Sequence, residues 1–150
     1  AVSGYKLTVF GSNTEYFYTA NLNDVVGYAE PVTGPGLIIM NSPSYDPVSA
    51  AAMFAGGCNL CAFTTGRGSC YGSQHFPTLK IASNTPLFER QGDDMDLNAG
   101  TVIDGDRTLE QMGEEIFEAL IAAASGKLTK SELFGMGSDE FIVWWLGTTA

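Results

Sequence analysis

The run GLIIM at residues 36–40, followed by NSPSYD at 41–46, PVSAAAMFAG at 47–56 and NLCAF at 59–63, decides the fold class. GLIIM is a continuous apolar stretch between a glycine and Asn-Ser-Pro, the pattern of a strand buried on both faces. PVSAAAMFAG opens with proline, is rich in alanine and stops at Gly56-Gly57, so its start and stop signals come in the order a short helix needs. NLCAF reads as the next buried strand. It leads into the glycine-rich loop TTGRGSCYG, and LKIAS at 79–83 reads as a third strand.

Downstream, Thr108 with Gln111 forms a capping box. Leu109, Met112, Ile116, Phe117, Leu120, Ile121 and Ala124 make one helical stripe, closed by Gly126. Upstream, YKLTVF at 5–10 alternates as a short strand or an irregular lead-in, and Asn21 or Asn23 is placed to cap a short helix through Val25 and Val26. Pro31, Gly34, Pro35 and Gly36 mark a loop. The apolar tail from Phe141 to Leu146 has no assigned state. Alternation of strand and helix predicts an α/β fold: a mostly parallel sheet with helices on both faces.

The chain has 150 residues, 45% of them hydrophobic and 16% charged, enough apolar content for a packed core and too little charge for a disordered chain. Its net charge of −10 is unevenly spread. Residues 1–88 carry Glu15, Asp24, Glu30 and Asp46 against Lys6, Arg67 and Lys80, whereas residues 89–150 carry the other acids against four bases. A surface of this sign repels phosphate backbones and anionic lipid, so no nucleic acid and no membrane partner is expected. No apolar run is long enough to span a bilayer, and Ala1 to Phe10 lacks an apolar signal core. The default expectation is a cytoplasmic location, with Cys58, Cys61 and Cys70 reduced and structural. A structural zinc site would need a fourth ligand beside these three, for which only His75 is available.

In open parallel sheets, ligands bind beyond the carboxyl ends of the strands. Two glycines around one arginine in Thr64-Thr65-Gly66-Arg67-Gly68 let backbone approach a ligand while the guanidinium fork grips an anion. The alternative is a tight surface turn with a solvated arginine. Asn84 is a further amide at a strand's carboxyl end. Asp93, Asp94, Asp96 and Asn98 gather hard oxygen ligands suited to a divalent cation, or form a plain acidic loop. No GxSxG, P-loop or GxGxxG motif occurs, which removes support for a serine hydrolase or the usual nucleotide sites.

Taken in combination, GLIIMNSPSYDPVSAAAMFAGGCNLCAFTTGRGSCYG, PTLKIASNTPLFER, DDMDLNAGTVIDG and TLEQMGEEIFEALIAAASGKLTKSELFGMGSDEF resemble the C-terminal region of the altronate/D-galactarate dehydratase family, over about residues 31–146. The resemblance leaves residues 1–30 as an unassigned lead-in. It implies a Rossmann-like parallel sheet and a hydro-lyase that converts a hydroxylated sugar acid into a 2-keto-3-deoxy acid. It also implies a divalent metal, typically iron(II), and an N-terminal remainder with a β-clip domain; a homo-oligomer is a further expectation. For that chemistry, Arg67 suits a carboxylate clamp, with Thr64, Thr65, Gly66, Gly68 and Asn84 around the substrate. Asp96, helped by Asn98 and Asp93, suits the metal. Lys80, inside an apparent buried strand, loses water and so favours its neutral, basic form; the competing reading is a lysine snorkelling from a strand edge. Two other classes remain open: a non-catalytic ligand-binding or packing module, and a nucleotide- or phosphate-binding domain using TTGRG as an anion nest.

Overall fold

A computed structural model describes residues 8–9, 22–43 and 45–143. The chain forms two units. One comprises residues up to Asn59 together with those from Glu140 onward, and the other spans Leu60–Asp139. Every strand pairing described is parallel, as the α/β reading requires. Among the described residues, however, the strands form two sheets of three strands each, one in each unit, and not the one sheet expected.

In the first unit, β3 (Leu37–Met40) lies between β1 (Thr8–Val9) and β2 (Leu22–Val26). GLIIM is thus the central strand, as expected. Ile38 and Met40 are buried on one face, and with Val26, Val32 and Ala52 they form the core. Residues 22–26, expected as a short helix, are instead strand β2. A helix of a few residues gains too little to offset its nucleation, whereas the β-branched pair Val25-Val26 gains a ladder beside β3. Asn23 does use its side chain, but on the strand: its Oδ1 accepts the Leu37 N–H at 3.1 Å, where the register between β2 and β3 shifts. Helix α1 (Asp46–Ala55) matches its expected span, buries Val48 through Ala52 and ends at Gly56. The strand reading of YKLTVF is met at Thr8–Val9, and the rest of that segment lies outside the described residues, as does the tail beyond Val143.

In the second unit, β5 (Thr78–Ala82) is central and buried along its whole length, between β4 (Cys61–Thr65) and β6 (Leu97–Asn98). Strand β4 starts two residues later than expected, where the Cys61 N–H meets the Pro77 carbonyl. Thr64 and Thr65 therefore belong to the ladder, opposite Ile81 and Ala82, and the loop proper begins at Gly66. Cys58 lies ahead of the strand, and Cys61 is its first residue. None of the three cysteines is in a disulfide; Cys58 and Cys61 are buried and Cys70 is exposed.

Helix α2 (Thr85–Arg90) follows β5, α3 (Thr101–Asp104) follows β6, and α4 (Leu109–Ala124) starts at the expected capping box. The α4 stripe is only partly covered: of its residues Met112 alone is buried, while Leu109 and Phe117 are 73% and 59% exposed. Helix α5 (Lys130–Leu133) has its own capping box between Thr129 and Glu132. Among the described residues, no helix is long and apolar enough to cross a membrane.

Candidate functional site

Because β4, β5 and β6 are parallel, their carboxyl ends share one edge, and the loops GRG, SNT and NAG leave from it together. Asn84 joins two of these loops. Its Oδ1 accepts the Leu87 N–H at 2.9 Å, capping α2, and its Nδ2 donates to the Gly66 carbonyl at 3.1 Å. The third loop is equally close. A Cβ at Gly100 would stand 2.2 Å from the Thr85 nitrogen and 2.4 Å from the Asn84 carbonyl carbon, so only glycine fits there. Asn98 Nδ2 donates to Thr85 Oγ1 at 3.0 Å, Asn98 Oδ1 accepts the Gly100 N–H at 3.0 Å, and Thr85 Oγ1 donates to Asp104. The structure thus brings Thr64, Thr65, Gly66, Arg67, Gly68, Asn84 and Asn98 to one edge of one sheet.

Arg67 is the middle residue of the GRG loop. It is exposed, and its guanidinium makes no hydrogen bond or ion pair with another described residue. Its backbone is held firmly. Arg90 Nη2 donates to the Arg67 carbonyl at 3.2 Å, Thr65 Oγ1 accepts the Gly68 N–H at 3.1 Å, and Lys80 Nζ donates to the Ser69 carbonyl at 3.3 Å. Gly68 has φ +104, a backbone conformation that favours glycine, and the Gln91 amide occupies the space where a Cβ would stand.

Lys80 is 1% exposed, in the middle of β5. Its ammonium lies 3.7 Å from Asp94 Oδ1 as well as against the Ser69 carbonyl. This is an internal ammonium with partners, not a side chain snorkelling to water.

The acidic stretch is placed differently from a ligand set. Asp96 Oδ2 accepts the Lys80 backbone N–H at 2.7 Å and its Oδ1 accepts the Lys130 backbone N–H at 2.9 Å, so one carboxylate links β5 to α5. Asp93 is exposed, Asp94 turns to Lys80, and the Asn98 amide is engaged by Thr85 and Gly100. Among the described residues, no three His, Cys, Asp or Glu side chains are grouped so as to hold a metal ion. As placed, these residues do not fit the divalent ion that the family resemblance implies.

Sequence reasoning missed α2, and with it Arg90, Gln91 and the role of Thr85. The signal was available: Asn84-Thr85-Pro86 is a cap residue followed by proline in the first turn. Lys130, whose ammonium reaches the Gly92 and Met95 carbonyls over the Phe88 ring, carried no local signal at all.

Comparison with known proteins identifies the family. Residues 11–149 match the family model described as D-galactarate/altronate dehydratase, C-terminal. The chain is 36% identical over 111 residues to the altronate dehydratase of Bacillus subtilis (strain 168), covering 74% of this chain and 22% of that protein. It is 37% identical over 109 residues to the altronate dehydratase of Escherichia coli (strain K12), covering 73% and 22%. It is 38% identical over 114 residues to the galactarate dehydratase (L-threo-forming) of the same organism, covering 75% and 22%. The chain therefore spans 22% of the length of these curated relatives. It belongs to the D-galactarate/altronate dehydratase family, matching the C-terminal region of its members.

Proposed function

We propose that this chain supplies the carboxylate-binding part of a hydro-lyase active site, in an enzyme that removes water from altronate or galactarate to give a 2-keto-3-deoxy acid. The observation that carries this reading is Arg67, an exposed guanidinium without a partner among the described residues, set between two glycines at the carboxyl edge of a parallel sheet. A guanidinium takes a carboxylate bidentately. In the elimination, the C2 proton goes to a base and its electrons move toward the carboxylate. The C3 hydroxyl then leaves as water once protonated, and the resulting enol becomes the ketone. The carboxylate gains negative charge on the way, so a fork held on it stabilises the transition state more than the ground state. Gly66 and Thr64 are exposed on the same loop and strand end as Arg67.

The base, the acid and the ion, iron(II) by resemblance, are expected from the larger part of the family enzyme, because Lys80 is already engaged by Ser69 and Asp94. The same observation favours a second reading, in which this chain binds ligand without turning it over. Calorimetry of the 150-residue chain with altronate and galactarate tests the first point. Saturable binding is expected, weakened on the order of tenfold by Arg67→Lys through loss of one charge-assisted hydrogen bond. Binding equal in the two proteins would remove Arg67 from the role. Turnover by the isolated chain with iron(II) would overturn the second reading.

A further inference from the structure

The loop that carries Arg67 is held by its carbonyls. Three of four consecutive residues offer a carbonyl to a nitrogen donor from β5, from α2 or from the loop between them. Gly66 accepts from Asn84, Arg67 from Arg90, and Ser69 from Lys80. Of the three donors, only Lys80 is buried, and its ammonium is also drawn to Asp94 in the turn that precedes β6. A buried ammonium is costly unless paired, so this one fixes both of its partners. Ser69 lies two residues beyond Arg67, at the point where the loop returns to the body of the unit.

We propose that Lys80 is a positioning residue for Arg67. From the middle of β5 it ties the return of the GRG loop to the 92–95 turn, and with Arg90 it presents the guanidinium in one orientation. This rests on the reading of Arg67 as a carboxylate clamp, and it gives Lys80 a role other than proton transfer. An arginine on a loose loop would lose orientational freedom on binding; on a braced loop that cost is met during folding. The family of side chains needed is then a set of donors aimed at carbonyls, which is what Asn84, Arg90 and Lys80 share.

The test is hydrogen exchange of the amides of residues 66–70 in the full chain, for the wild type, Lys80→Met and Arg90→Met. Each variant removes one carbonyl donor, and each is expected to speed exchange in that loop about five- to tenfold while α4 amides keep their rates. Arg90 is exposed, so its variant keeps the experiment decisive where Lys80→Met fails to fold, and Arg90→Lys should restore slow exchange. Wild-type exchange rates in the loop of both Met variants would overturn the proposal. In the intact enzyme, Lys80→Met should lower kcat/KM for the sugar acid, with KM raised and kcat lowered together, and Arg90→Met should do the same. A collapse of kcat at unchanged KM and unchanged loop exchange would make Lys80 a proton-transfer group instead. Absence of any sugar-acid binding by the wild-type chain would defeat the clamp reading, an outcome separate from the exchange result.

Discussion

Replacing Asp96 by alanine separates a fastener from a metal ligand. Its two oxygens accept backbone N–H groups that are distant in sequence, that of Lys80 at 2.7 Å and that of Lys130 at 2.9 Å. The Asp96 N–H donates in turn to the Lys80 carbonyl at 2.8 Å, so the side chain extends the ladder at the point where β6 begins. Alanine leaves both donors without their acceptor. Taking about 1.5 kcal/mol for each charge-assisted bond, the low end because the site is only half-buried, gives a loss of about 3 kcal/mol. For a chain of this size that is a fall in melting temperature of roughly 6–12 °C. Asparagine should cost nearly as much, because its amide NH2 would face a backbone N–H. Thermal melts followed by circular dichroism, with chelator and with added iron(II) or manganese(II), provide the assay. The fastener predicts the same loss under both conditions. A variant that melts like the wild type in chelator, but lacks a stabilisation the wild type gains from the ion, would refute this reasoning and make Asp96 a ligand.

Three further outcomes are expected. Gly100→Ala keeps an ordinary helical φ but drives its Cβ into the Asn84–Thr85 backbone, so it should destabilise by about 3 kcal/mol in urea unfolding, the upper range for overpacking. Thr108→Ala removes the acceptor of the Gln111 N–H at 3.2 Å and should cost about 1 kcal/mol, with faster exchange confined to the first turn of α4. Glu110, at that same helix start, is held below the ordinary carboxylate range by its backbone hydrogen bond and by the Thr108 side chain. Its stabilisation is therefore present above the ordinary carboxylate value and lost as pH falls through the lowered one, so Glu110→Gln should lower the melting temperature at neutral pH and match the wild type in strong acid.

What could be read from the residues follows the range over which each signal acts. Helix α1 and the capping box of α4 were legible because proline, glycine and the Thr108–Gln111 pair act within a few residues. Strand β2 was misread because Asn23 carries the same acceptor for a helix cap and for the Leu37 N–H, and only the presence of β3 decides between them. The division into two sheets was invisible for a related reason. GLIIM and CAFTT have equivalent apolar patterns, and nothing in either states which strand it will pair with. At the site, Arg67 and Asn84 were found from residue type at strand ends. The employment of Asp96 was not, since a carboxylate that accepts N–H groups from residues 80 and 130 looks in sequence like any acid beside other acids.

The carboxyl edge of β4–β5–β6 spends most of its polar side chains on its own backbone. Asn84 and Arg90 hold the first loop, Asn98 and Thr85 hold each other and the third, and Asp96 holds α5. Gly68 and Gly100 remove the side chains that would keep these loops apart. What remains unspent in the first loop is a guanidinium. A site organised in this way is suited to hold one anionic group in a fixed place, and the Lys80 ammonium and the Asp94 and Asp96 carboxylates, which could move protons, are already engaged. On the proposed reading, that is the share of the reaction this chain takes: it fixes the carboxylate end of the sugar acid, and so sets which carbon lies next to the groups that remove water.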